Sequence, residues 1–299
     1  MKLIQLLWFL ILCSIISSNL VAAPTGIKAD SLSYEQKLEN GIDAFYRTDW
    51  IEASSVFREL QQKKPGDSRA YFFEAMIPFW EYYFGNNSSQ AADQFLKRSQ
   101  QAIEISKNQL NKNSSDTTMV LMLSGLYGYR SLVAAAEQNY KEALESGMTG
   151  FKYTRQLLEL NADDPKALIG KGMFYYMAGS VPNGLKWAAN MIGMSADMQE
   201  GFDALEKAAK SDSYVRNDAQ MILAYLYERE GQDKKALKHL EALSARYPEN
   251  IIFQYNRARL LEKTDQLTLA REKYEMITKM NTNTLGVLKQ KSRNRLQKL

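Results

Sequence analysis

One spacing recurs three times along this chain. A small residue is followed by Ala twelve positions on, a large apolar residue sixteen on and, in two copies, Pro twenty-four on. Gly41, Ala53, Phe57 and Pro65 fit it, as do Ala224, Ala236, Leu240 and Pro248. Ala258, Ala270 and Tyr274 fit too, with Thr282 in the place of Pro. The last two copies are thirty-four residues apart. A fixed period of this length marks a stack of paired helices, because one such pair cannot bury its apolar face alone. The small residues let the two helices of a pair approach, the large residue fills the space beside them, and Pro ends the second helix.

The cleanest unit predicts helices over 33–46 and 51–63, with Thr48 and Asp49 in the turn. Longer helices are expected over 68–85, 89–110, 117–137 and 140–160, then a pair over 165–178 and 198–210. Between the last two lies an insertion, 179–196, in which Leu185, Trp187, Ala188 and Ile192 form an amphipathic stripe after Pro182. The chain therefore reads as all-α, with about six helix pairs over 34–284. It ends in a tail, 285–299, that carries five basic residues and no acidic one. That tail is expected to cap the last pair with a solvated face.

The first residues read as a targeting segment. Lys2 precedes an apolar run from Leu3 to Ile16, and Val21-Ala22-Ala23 offers a small-residue cleavage site. The run is shorter than the roughly 20 residues of a spanning helix. We read 1–23 as a signal peptide, 24–33 as a linker and the mature protein as periplasmic, with outer-membrane association an option. Cys13 is the only cysteine, so the mature chain would lack thiols and disulfides. Net charge is +4, too small to argue for nucleic acid.

Chemistry finds little support. His239 is the only histidine and stands beside Lys238, where a solvated position is expected. One histidine cannot build a multi-histidine zinc site, and no Gly-x-Ser-x-Gly motif accompanies it. Gly170-Lys171-Gly172 lacks the upstream glycine of a phosphate loop and falls inside a helix. No catalytic residue, metal or cofactor is assigned.

The recurring spacing resembles the tetratricopeptide repeat family, most specifically in the first unit and over Asn217 to Met280. The resemblance implies a right-handed superhelix whose first helices line a concave groove holding a peptide or a partner helix. Carried onto this chain, the groove positions include Phe72, Met76, Tyr129, Tyr176, Met221, Tyr225, Tyr255 and Arg259. The first four serve equally well as core if the insertion folds over them. A second, partial resemblance covers Leu168 to Ala209 and rests on Gly172, Pro182, Gly193, Gly201 and Leu205. This stretch is similar to some bacterial envelope repeat proteins and to a eukaryotic repeat family of mitochondrial outer-membrane inclusion clearance. It implies no chemistry. The expected function is a non-enzymatic scaffold that binds a protein or peptide. The alternatives are docking to a membrane surface through Trp187, Ile192 and the basic tail, and a helical hydrolase without a visible motif.

Overall fold

The computed structural model describes residues 32–160, 164–180, 197–213, 215–282 and 285–299. They form thirteen helices: α1 Tyr34–Tyr46, α2 Trp50–Lys63, α3 Ser68–Phe84, α4 Ser89–Leu110, α5 Thr117–Ala136, α6 Tyr140–Glu159, α7 Pro165–Gly179, α8 Met198–Ala209, α9 Val215–Arg229, α10 Asp233–Arg246, α11 Ile251–Lys263, α12 Leu267–Lys279 and α13 Gly286–Leu296. No strand occurs among the described residues. The all-α helix-pair architecture expected from the spacing is the architecture present. Most of the insertion, Trp187 and Ile192 included, lies outside the described residues.

Short polar side chains start the helices. Ser33, Asp49, Asp67, Asp116, Asn139, Asp164, Asp197 and Asn250 each accept a hydrogen bond from a first-turn amide. Each bond satisfies a donor that the helix itself leaves open. At Ser33 the bond is reciprocated, because Gln36 Oε1 accepts from the Ser33 amide at 2.9 Å.

Four helix pairs close with one and the same turn. The second residue after α1, α5, α9 and α11 has a left-handed backbone: Thr48 (φ 62°), Gln138 (63°), Gly231 (72°) and Asp265 (60°). In each pair the next residue donates back five positions, Asp49 to Ala44, Asn139 to Ala134, Gln232 to Tyr227 and Gln266 to Leu261, at 2.7–3.0 Å. These bonds satisfy carbonyls at the helix end and reverse the chain in three residues.

The described chain divides into two compact units, with the division passing through α4 and α9. One unit is Ile103–Leu223. Its centre is α5, which is long and apolar enough to cross a membrane, but 83% of that stretch is buried. It is a core helix, apolar on every side. Its contacts with α6 include two buried hydroxyls, Ser124 Oγ and Thr154 Oγ1, 2.5 Å apart. In the same unit α7 and α8 meet backbone to backbone. A Cβ at Gly201 would lie 2.7 Å from the Gly172 carbonyl oxygen, and one at Gly172 would lie 2.5 Å from Leu205 Cγ. Gly172, Gly201 and Leu205 thus meet at the α7–α8 contact.

The other unit joins the described residues up to Ala102 with Ala224–Leu299. In α1–α3, Phe57 packs where a Cβ at Gly41 would lie, 2.7 Å from it, and stacks on Phe73 at 5.7 Å. Phe45 meets Trp80 edge-on at 4.7 Å. Arg69 of α3 grips Glu35 of α1 through two 2.8 Å bonds. The first and last helix pairs then share one core. Tyr46 stacks on Tyr247 at 5.3 Å, Trp80 meets Phe253 at 6.2 Å, and Asn250 Nδ2 donates to the Tyr46 carbonyl at 2.7 Å. The basic tail forms α13, which packs on α12 with Leu288 and Ser292 buried.

Candidate docking face of the C-terminal repeats

Helix α11 places Tyr255, Arg259, Glu262 and Lys263 on one face, at the three- and four-residue intervals that make helical neighbours. With Tyr274 of α12 and Arg295 of α13 they line an open cavity of about 390 Å³. Tyr225 and Glu228 of α9 and Tyr83 of α3 adjoin it, since the hydroxyl of Tyr83 feels both Tyr225 and Arg259.

Every cation here is matched. Arg259 holds Glu228 by two bonds, the Nη2–Oε2 bond being 2.6 Å. Arg295 holds Glu262 by two bonds, with Nε–Oε2 at 2.9 Å. Lys263 donates to Asp233 at 2.6 Å, and the Tyr274 hydroxyl donates to Glu262 at 2.9 Å. Glu228 raises the Arg259 pKa by hydrogen bonding, against the opposing effect of burial.

The tyrosines titrate late. Burial raises Tyr255 against the pull of Arg259 and Arg295, and raises Tyr225 against Arg229. Burial and then Tyr255 push Tyr274 up to about 12, with Arg259 opposing. Tyr83 is pushed well above its ordinary value by burial and by Tyr225, although 39% of the residue stays exposed. All four hydroxyls are therefore protonated at neutral pH.

The eight groove positions separate. Phe72, Met76, Tyr129 and Tyr176 are 0%, 0%, 7% and 2% exposed, so they are core and line no open groove. The reason is composition: α3, α5 and α7 are apolar on all sides, and a helix of that kind is enclosed. Phe72 lies edge-on to Phe73 at 5.3 Å and Tyr176 to Phe202 at 5.7 Å. Met221, Tyr225, Tyr255 and Arg259 are half-buried, and the last two line the cavity. Met221 belongs to the Ile103–Leu223 unit. Sequence reasoning missed Tyr83, Lys263 and Arg295, and it treated Tyr274 only as a packing residue. Nothing periodic links Tyr83 to α11. His239 corrects an expectation: it is 7% exposed, not solvated, and stacks on Tyr227 at 5.8 Å. It lies on the face of α10 that turns inward with Ala236 and Leu240.

Residues 217–260, which contain α10 and most of α9 and α11, match the family model of the tetratricopeptide repeat. Among solved structures, the chain is similar to a tetratricopeptide repeat protein from Parabacteroides merdae ATCC 43184, at 17% identity and a TM-score of 0.37, over 88% of this chain and 87% of that one. No curated protein matches its sequence. Helix pairs throughout, with a matched repeat in the C-terminal part, define a helical-repeat protein. More narrowly, residues 217–260 are similar to a tetratricopeptide repeat, and that stretch contributes Tyr255 and Arg259 to the cavity described above.

Proposed function

We propose that this protein is a non-enzymatic scaffold of the cell envelope that holds a protein partner on the face formed by Tyr225, Tyr255 and Arg259. One observation carries the reading. The groove positions of α3, α5 and α7 are closed into the core, whereas those of α9 and α11 stay half-open, with Tyr255 and Arg259 of α11 lining a cavity of about 390 Å³. Tyrosine and arginine are the residue types that dominate binding hot spots, because each joins a broad apolar surface to a polar tip. The acidic groups of the cavity, Glu228 and Glu262, are each committed to an arginine, which suits binding better than proton transfer. Export rests on the leader pattern of residues 1–23.

Affinity capture from envelope extract tests the reading. The wild-type protein should retain one partner in stoichiometric amount. Tyr225→Ala combined with Tyr255→Ala should reduce retention about tenfold without lowering the melting temperature. Equal retention by the variant would refute the docking face. Fractionation of the native host should find the protein outside the inner membrane, beginning at or near Pro24; a full-length cytosolic protein would refute export.

A further inference from the structure

The docking face has an unusual balance of charges and hydrogen-bonding groups, and that balance selects a class of ligand. Arg259, Arg295 and Lys263 are neutralised by Glu228, Glu262 and Asp233. An acidic ligand would meet the charges of Glu228, Glu262 and Asp233 beside the cations and would have to open an arginine fork to gain a bidentate pair of its own, and a basic one would have to take the carboxylate away. Charge-assisted bidentate pairs are among the strongest polar contacts a protein makes, so neither exchange is favourable.

What the face still offers is donors. The Tyr255 hydroxyl makes no hydrogen bond among the described residues; its contacts are a ring contact with Tyr274 at 6.0 Å and the fields of two arginines. Arg259 bonds Glu228 and Asn256 through its two terminal nitrogens, leaving Nε–H over. Arg295 bonds Glu262 through Nε and Nη2, leaving Nη1 over. The carboxylates, which would be the natural acceptors, already hold these forks. The remaining surface is tyrosine ring.

A matching ligand brings acceptors without donors, and flat apolar rings. An α-helix uses its own carbonyls internally. An extended strand brings an N–H with every carbonyl. A polyproline II segment has no internal hydrogen bonds, and each Pro lacks an N–H. Its rings pack on aromatic faces, which is how proline-rich peptides are bound in aromatic-lined grooves elsewhere. Resting on the docking reading above, we propose that the occupant of this face is an uncharged, proline-rich segment of the partner in polyproline II conformation. Its carbonyls accept from Tyr255, Arg259 and Arg295, and its rings lie against the tyrosines, including Tyr83 from α3.

Decaproline, acetylated and amidated, is the probe, titrated calorimetrically into the full-length protein beside peptides of alternating Glu-Ala and Lys-Ala. Decaproline should bind at least about tenfold more tightly than either charged peptide. Tyr255→Phe keeps the ring and removes only the donor; it should weaken binding about fivefold with the melting temperature unchanged. Tyr83→Ala should weaken it further, and Tyr255→Phe keeps the test decisive if that variant fails to fold. Preference for the acidic or the basic peptide, or decaproline binding indifferent to Tyr255→Phe, overturns the proposal. If decaproline does not bind while an envelope partner is still captured through Tyr225 and Tyr255, the ligand class is wrong and the docking face stands. If neither is seen, both fall.

Discussion

Asn250 shows how much one side chain can settle. Its Oδ1 caps α11, accepting from Ile252 and Phe253 at 2.9 Å each, while its Nδ2 donates to Tyr46 at 2.7 Å. The last carbonyls of α1 form a complete account. Arg47, Thr48 and Asp49 serve Asp43, Phe45 and Ala44 within the turn, and Asn250 serves Tyr46 across the core. Asn250→Ala removes a cap worth about 1 kcal/mol and a buried bond whose loss costs about 1–3 kcal/mol. Chemical denaturation should show about 2–4 kcal/mol of lost stability, and Asn250→Asp should not restore it, because the cap acceptor is kept but an oxygen then faces the buried Tyr46 carbonyl. The tyrosines supply a pH test. Tyr274 ionises near 12 in the fold against about 10 in an unfolded chain. The folded state thus holds its proton longer, and the stability this gives is intact below pH 10 and drains away as pH rises toward 12. A pH series of urea melts should show that decline, and Tyr274→Phe should lessen it, the other late-titrating tyrosines keeping the remainder. Residue roles were legible where the repeat spacing itself sets the contact, as for Gly41 with Phe57. They were illegible for Tyr46 with Asn250 or Tyr83 with Arg259, because no period spans such separations.

Helix boundaries were legible to within a residue or so, because caps and stops are local chemistry. The sequence places α4 at 89–110 and α2 at 51–63, and the structure has Ser89–Leu110 and Trp50–Lys63. The shared turn was not legible. Its left-handed position is filled by Thr, Gln, Gly and Asp, and only glycine announces that conformation. The backbone bonds, not the residue type, hold the turn, which gives a paired prediction. A Cβ at Gly231 meets nothing within 4 Å, so Gly231→Ala pays only the left-handed penalty of ~1–2 kcal/mol, offset by ~0.5–1 kcal/mol of reduced unfolded-chain entropy. It should destabilise by about 0.5–1 kcal/mol. Gln138→Gly should stabilise by a similar amount through the reverse of both effects. Melting temperatures of the two variants moving in the same direction would show that the turns are not equivalent.

At the scale of the molecule, the described residues begin and end in one unit and spend Ile103–Leu223 in another. The repeats at the two ends therefore support each other, and α3 delivers Tyr83 to the face built by α9, α11, α12 and α13. The sequence shows repeats but not which of them share a core, since stacking order is all that a period encodes. The account's central claim is that this face is where a partner docks. Site-specific photo-crosslinking in the native host tests it most directly, with p-benzoylphenylalanine installed at position 255, at position 83 and at position 51 as a control, Ile51 being 69% exposed on α2 and outside the cavity. The account predicts one and the same protein adduct from positions 255 and 83 and none from 51. No adduct at 255, or the same adduct from all three positions, would contradict it.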